Sequence, residues 1–349
     1  MSNFHKKTFS KIFFTNYQKA IFRLDPRLKY VILCDALVKK LYGNAFFKEL
    51  KNHKLNAFLF SIPASEEYKT RLTKEKIEDQ LIQKRLSKDT CIIGLGGGII
   101  LDLAGFIAAT YCRGVDFISI PTTLLAMIDA SIGGKVALNV GKYKNWIGTF
   151  YPAKEIWIDK AFLTSLTEKE MRNGLAEMIK YGILTNPFIL NTLEKKSSFT
   201  HLIPKCIQIK KSIVKKDFCD CNKRHVLNFG HTIAHALEGY FSYKISHGEA
   251  VALGIVFESY LSYLLGYLSL EDFKRIYSLI SSYDYPLFLF KKIPLKDLTN
   301  QIQMDKKNKE HKPYFVLLNK IGKPLNKNNL YSFPVDKVWI KKAYEYFQN

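Results

Sequence analysis

The chain has 349 residues, is 47% hydrophobic and carries a formal net charge of +22. That length exceeds the usual single core, so two domains are expected. No run of about eighteen apolar residues occurs and the basic N-terminus lacks an unbroken apolar stretch, which argues against a membrane span and a secretory signal.

Residues 30–35, YVILCD, form a short apolar run rich in strand formers, and 36–50 have helical spacing. Residues 57–63 predict a second strand, and 66–86 a long charged helix with apolar residues at three- and four-residue steps. TCIIGLGG is a third strand running into glycines, followed by the helix ILDLAGFIAATYC. VDFISIPTT and residues 155–159 complete the strands of this part. Strands separated by helices predict a parallel sheet with helices on its faces. Beyond residue 160 helical periodicity dominates, in 168–184, 202–216, 227–240, 248–268 and 270–282; only residues 314–319 read as a strand. The expected organisation is therefore an α/β domain over residues 1–160 and a mostly α-helical domain over 161–349.

The charge admits nucleic-acid binding as one reading. Lysines are spread along the chain without a DNA- or RNA-binding motif, so an anionic small molecule is the preferred partner, with no nucleic acid and no membrane. Arginine is scarce, so Arg113 and Arg224 suggest a need for a planar fork. None of the six cysteines sits in a CxxC pair; Cys219 and Cys221 form a CxC, read as reduced and incidental. A cytoplasmic protein is the expectation.

Gly94, Gly96, Gly97 and Gly98 end a strand and open a helix, where backbone can approach a pyrophosphate. The run is not GxGxxG, because position 99 is isoleucine, and a plain strand-to-helix turn is the alternative. Asp35 ends an earlier strand, a position where an acid commonly holds a ribose hydroxyl. Glu177, His231 and His247 supply a carboxylate and two imidazoles, which suit a catalytic Zn2+ with an open position; capped or solvated histidines are the alternative. His235 follows His231 by one helical turn, but Thr232 stands where a zinc protease has its glutamate. PTTLLAMIDASIGGK places Asp129, Ser131 and Lys135 around a Gly-Gly turn, with Lys144 and Asn145 beyond, a set suited to a phosphate or carboxylate, or to a polar surface loop.

Taken together, GLGGGIILDLAGFIAATYCRG, PTTLLAMIDASIGGK, GLAEMIKYGIL, LNFGHTIAHALE and SHGEAVALG resemble the 3-dehydroquinate synthase family in order and spacing, over about residues 30–322. The resemblance implies a Rossmann-like, NAD-binding N-terminal domain and a helical, metal-binding C-terminal domain. It implies Zn2+, with Co2+ as an alternative ion, on Glu177, His231 and His247. On the NAD side it implies Asp35, Glu66, Lys69, Gly97, Gly98, Asp102, Thr122, Thr123, Lys135, Lys144, Phe162 and Thr164. It implies catalytic roles for Asp129, Lys135, Lys180, Asn228 and His235, and substrate contacts from Arg113, Lys135, Asn145, Lys210, Arg224, His235 and Lys306. Arg113 matches an arginine that reaches a neighbouring subunit, which implies a homodimer. The implied substrate is a phosphorylated seven-carbon sugar acid, cyclised with loss of phosphate. Two positions depart from the family pattern: Tyr143 replaces a usual glycine, and Phe218, Cys219 and Asp220 replace an acidic-basic-acidic run. Another sugar phosphate cyclase and a metal-dependent polyol dehydrogenase are the alternatives.

Overall fold

The computed structural model describes residues 9–63, 65–141, 143–303 and 312–348. They form two compact units, Met1–Thr167 and Glu168–Asn349.

The first unit is built on a six-stranded, all-parallel sheet. Its strands are β1 (Lys11–Phe14), β2 (Lys29–Asp35), β3 (Asn56–Ile62), β4 (Thr90–Gly96), β5 (Asp116–Pro121) and β8 (Glu155–Ile158), in the order β1-β8-β5-β4-β2-β3. Every residue of β4 is buried, as its unbroken apolar run requires of a central strand covered on both faces. The connections are α1 (Ala36–Val38), α2 (Asn44–Asn52), α3 (Arg71–Gln83) and α4 (Gly98–Thr110). Between β5 and β8 the chain makes an antiparallel hairpin, β6 (Lys135–Val140) and β7 (Tyr143–Phe150). Strand β2 lies between β3 and β4, so the chain reverses its direction of travel across the sheet there. Ligands of such sheets bind outside the carboxyl ends of the strands at this switch. Phe162 lies in a 3-10 turn after β8 and packs against Tyr17 and Tyr42, with ring centroids 4.9 and 4.8 Å apart.

The second unit is helical: α5 (Glu168–Thr185), α6 (Pro187–Glu194), α7 (Ile203–Lys216), α8 (His231–Tyr240), α9 (His247–Leu264), α10 (Leu270–Ser281), α11 (Leu295–Gln303) and α12 (Lys337–Tyr346). Helix α9 is apolar nearly all round, which fits it to the centre of the unit. It packs against α5, α8, α10 and α12. Four short strands, β9 (Tyr314–Phe315), β10 (Leu318–Lys320), β11 (Lys323–Pro324) and β12 (Phe333–Pro334), pair as β12-β9 and β10-β11. The single strand expected over residues 314–319 is thus divided between two separate pairings. No helix among the described residues is long and apolar enough to cross a membrane.

Candidate metal centre and anion sites

Helix α5 buries every residue from Gly174 to Leu184, Glu177 and Lys180 included. A carboxylate and an ammonium at that depth need partners. Lys180 Nζ ion-pairs with Glu177 Oε2 and donates to the Leu227 carbonyl at 2.7 Å. Both Glu177 oxygens are buried and neither has an aligned hydrogen-bond partner among the described residues.

Two histidines complete the set, each the first residue of its helix. His231 opens α8 behind Gly230, whose φ of +81° is left-handed and ends the preceding 3-10 turn Lys223–Asn228. His247 opens α9 behind Ser246, which forms a capping box with Glu249. His231 Nε2 lies 3.4 Å and His247 Nε2 3.6 Å from Glu177 Oε1. The outer nitrogens face acceptors: His231 Nδ1 is 3.1 Å from the Phe229 carbonyl oxygen and His247 Nδ1 is 3.5 Å from Glu238 Oε1. A proton on each Nδ1 leaves both Nε2 lone pairs directed at the carboxylate, the tautomer of a metal-bound imidazole.

The set fits a divalent cation. One ligand atom from each residue lies within 4.8 Å of the others. Ligands about 2.0–2.1 Å from a tetrahedral ion stand about 3.3–3.4 Å apart, close to the separations here. Without the ion, burial disfavours the charged form of His247, but the Glu177 and Glu238 carboxylates outweigh it and push its pKa up to about 10. His235, one turn along α8, has its ring centroid 5.8 Å from that of His231.

The same unit buries two further cations, Lys210 and Arg224. Arg224 and half-buried Asn228 sit in the 3-10 turn before α8, against which α7 packs. Arg224 donates through Nη1 to the Phe218 carbonyl at 2.8 Å. Asp217 fixes this loop by accepting from the backbone N–H groups of Cys221, Asn222 and Arg224 at 3.0, 2.7 and 3.0 Å. Burial raises the Asp217 pKa, and these donors more than offset it and hold it below the usual range. The replaced 218–220 run is therefore part of a loop organised by Asp217. Lys306 lies outside the described residues.

In the first unit the residues expected around NAD gather at the carboxyl ends of the strands. Gly97 caps α4 with no side chain, leaving the first amides of α4 open to an anion. Thr122 N donates to the Gly96 carbonyl at 3.0 Å, and Thr123 Oγ1 accepts from Ala126 N at 3.2 Å. Lys69, 4% exposed, ion-pairs with Asp102, one turn into α4, and donates to Asn145 Oδ1 at 2.6 Å. Asn145, at φ 55°, donates its N–H to Asn139 Oδ1 at 3.0 Å, and Asn139 Nδ2 donates to Glu66 Oε1 at 2.8 Å. Glu66, Lys69, Asp102 and Asn145 are thus joined in one network through Asn139, which no motif had marked. These groups suit a dinucleotide whose phosphates meet the α4 N-terminus.

Other expected residues stand apart from that network. The Asp35 carboxylate accepts from Val38 N at 2.8 Å and so caps α1. Phe162 is buried in its aromatic cluster, and the exposed Thr164 hydroxyl donates to the Ala161 carbonyl at 2.8 Å. Asp129 lies in the π turn Ala126–Ala130, Lys135 is exposed at the start of β6, and Lys144 is half-buried on β7. Arg113 is exposed, and Cys112, Arg113 and Gly114 all have positive φ, 48°, 65° and 113°.

Two family models match adjoining stretches of the chain, "3-dehydroquinate synthase N-terminal" over residues 59–173 and "3-dehydroquinate synthase C-terminal" over residues 174–308. The chain belongs to the 3-dehydroquinate synthase family. A 3-dehydroquinate synthase of Thermoanaerobacter pseudethanolicus is 41% identical over 305 residues, covering 84% of this chain and 85% of that one. Among solved structures, the fold resembles 2-deoxy-scyllo-inosose synthase complexed with carbaglucose-6-phosphate, NAD+ and Co2+ (TM-score 0.86, 23% identity, 97% of each chain). It also resembles ValA, a 2-epi-5-epi-valiolone synthase from Streptomyces hygroscopicus with NAD+ and Zn2+ bound (TM-score 0.88, 23% identity, 98% of this chain and 97% of that one). Family membership and fold agree with the α/β and helical division read from the sequence.

Sequence reasoning passed over Asn139, Asp217, Glu238 and Glu258. The detectable signal was strongest for Glu258, a lone acid inside the apolar stretch of α9, since such a residue is almost never fully buried unless paired.

Proposed function

We propose that the chain is a 3-dehydroquinate synthase, converting 3-deoxy-D-arabino-heptulosonate 7-phosphate into 3-dehydroquinate and phosphate in the shikimate pathway. The observation that carries this is the match of family models to both halves of the chain, with Glu177, His231 and His247 converging in the second half. We assign NAD+ to the unit Met1–Thr167, and Zn2+, or Co2+, to Glu177, His231 and His247 in the unit Glu168–Asn349.

Bound to the first unit, NAD+ would supply a reversible hydride acceptor, and an ion held by Glu177, His231 and His247 would supply a Lewis acid for the oxygen at the carbon oxidised. The side chains hold and orient. Glu238 fixes the His247 ring by accepting from Nδ1, and the Phe229 carbonyl does the same for His231. Lys180 balances the buried Glu177 charge. Lys69 holds Asp102 and Asn145 in place, which keeps the α4 entrance formed for the cofactor phosphates. Arg224 and Lys210 supply the cationic side for the substrate carboxylate, and Lys135, Asn145, His235 and Lys306 the contacts for its phosphate. Asp129 and Asn228 are assigned to orient substrate hydroxyls. A cytoplasmic homodimer is the proposed setting. Its support is family membership and the outward display of Arg113 by three successive positive-φ residues.

The test is phosphate release from the heptulosonate with NAD+ substoichiometric, read beside absorbance at 340 nm. Many phosphates per NAD+ with no net NADH, abolished by chelator and restored by Zn2+, is the expected result. NADH formed one for one with substrate consumed would replace the cyclase reading by a dehydrogenase.

A further inference from the structure

One buried carboxylate has no part in the chemistry above. Glu258 lies in the middle of α9 and is 0% exposed. Its Oε2 accepts from Gly230 N at 2.8 Å and its Oε1 from Thr232 N at 3.2 Å. These are first-turn amides of α8, the donors a helix leaves open at its N-terminus. Gly230 occupies the N-cap position and has no side chain to satisfy them, so the cap comes from another helix.

The placement has a direct consequence for the ligands. Glu258 follows His247 by eleven residues, about three helical turns, so both project from one face of α9. Gly254 lies one turn before Glu258 on that face, and any Cβ there would overlap the Gly230 carbonyl. Helix α9 is thus pressed against the turn that carries His231. Helix α9 has its own Ser246 cap, and in addition Gly248 N, beside His247, donates to Asn173 Oδ1 on α5, one turn before Glu177. Each histidine-bearing helix thus has a first-turn amide held by the helix that carries another of the three groups.

We propose that Glu258 is a positioning residue that sets His231 against His247 before any ion arrives. This rests on the metal reading above. The direct test is Glu258→Gln, which keeps the shape but offers an amide N–H2 to one of the two backbone donors. Zn2+ affinity should fall about 10- to 100-fold, the range for loss of a group that orients a ligand. The visible absorption of the Co2+-substituted protein should change as well, because His231 shifts relative to the other ligands. Val256→Ala, a cavity-making change elsewhere on α9, should lower stability and leave both readouts unchanged. Amide exchange on the unaltered, metal-free protein supplies an independent arm. Gly230 and Thr232 N–H should be protected without Zn2+, since their acceptor is Glu258. Wild-type affinity and cobalt spectrum in Glu258→Gln, or rapid exchange of both amides, would overturn the proposal. Wild-type protein that takes up no Zn2+ would instead remove the metal reading, and this inference with it.

Discussion

Gly230→Ala is the sharpest probe of how the chain builds its proposed metal centre. Gly230 has φ +81°, a region that costs an L-residue about 1–2 kcal/mol. A Cβ there would lie 2.9 Å from Ile255 Cγ1, 2.9 Å from Ile255 N and 3.0 Å from the Val251 carbonyl oxygen. Two of those three atoms are backbone of α9 and cannot swing aside, so crowding adds about 1–3 kcal/mol. Reduced freedom of the unfolded chain returns about 0.4–1 kcal/mol. The net expectation is a loss of about 1–4.5 kcal/mol, or a fall in melting temperature of roughly 3–12 °C for a unit of this size. The displacement falls on the residue before His231 and lengthens the bonds to Glu258, so Zn2+ affinity should drop with stability. Urea denaturation of the metal-free protein and a competitive chelator titration measure the two effects. Stability within about 0.5 kcal/mol of the unaltered protein, with unchanged Zn2+ affinity, would refute the close packing of α9 on the Gly230 turn.

Two further outcomes follow from the same geometry. Because His247 holds its proton up to a pKa of about 10 without the ion, Zn2+ must displace that proton, and apparent affinity should rise up to about tenfold per pH unit from pH 6 to 8. The raised pKa also gives the metal-free protein a stabilising term, full below about pH 6.5 and lost as pH rises through about 10, so the two trends run in opposite directions; calorimetry in buffers of different ionisation enthalpy should show about one proton released per Zn2+, and an affinity flat with pH, with no proton released, would show His247 neutral before the ion binds and refute the raised pKa. Lys69→Met removes one cation from Asp102 and one donor from Asn145, and should cost about 1–3 kcal/mol of stability and at least tenfold in NAD+ affinity by titration; unchanged NAD+ binding would detach this network from the cofactor.

The parallel sheet was readable because β2, β4 and β5 are apolar runs bounded by turn signals, a pattern set by burial on both faces. The β6–β7 hairpin was not, and no strand was expected between residues 121 and 155. Strand β7 reads YKNWIGTF, with a glycine and an asparagine inside it, and most of it faces solvent, so no clean alternation marks it. Helix starts shifted where a backbone constraint outweighed periodicity. The pattern over 227–240 is helical throughout, yet α8 begins only at His231, because Gly230 turns the chain into the left-handed region.

The ligands and their supports were unequally visible for a physical reason. Glu177, His231 and His247 are residue types with a chemistry of their own, and although their spacing left capped or solvated histidines open, the strings they sit in resemble a family pattern that marks them as candidates. Glu258, Glu238 and Asp217 act by accepting hydrogen bonds, a capacity every acid shares, and their assignment depends on which donor the fold brings near. The Gly230 N–H that Glu258 accepts is 28 residues away in sequence, and the pairing exists only because Gly254 lets α9 close on the Gly230 turn. Glycine and glutamate one turn apart on an apolar helix therefore form a single device, the first removing a side chain so that the second can reach an amide. Substituting either should disturb the same turn, and the double variant should lose less Zn2+ affinity than the two single losses combined.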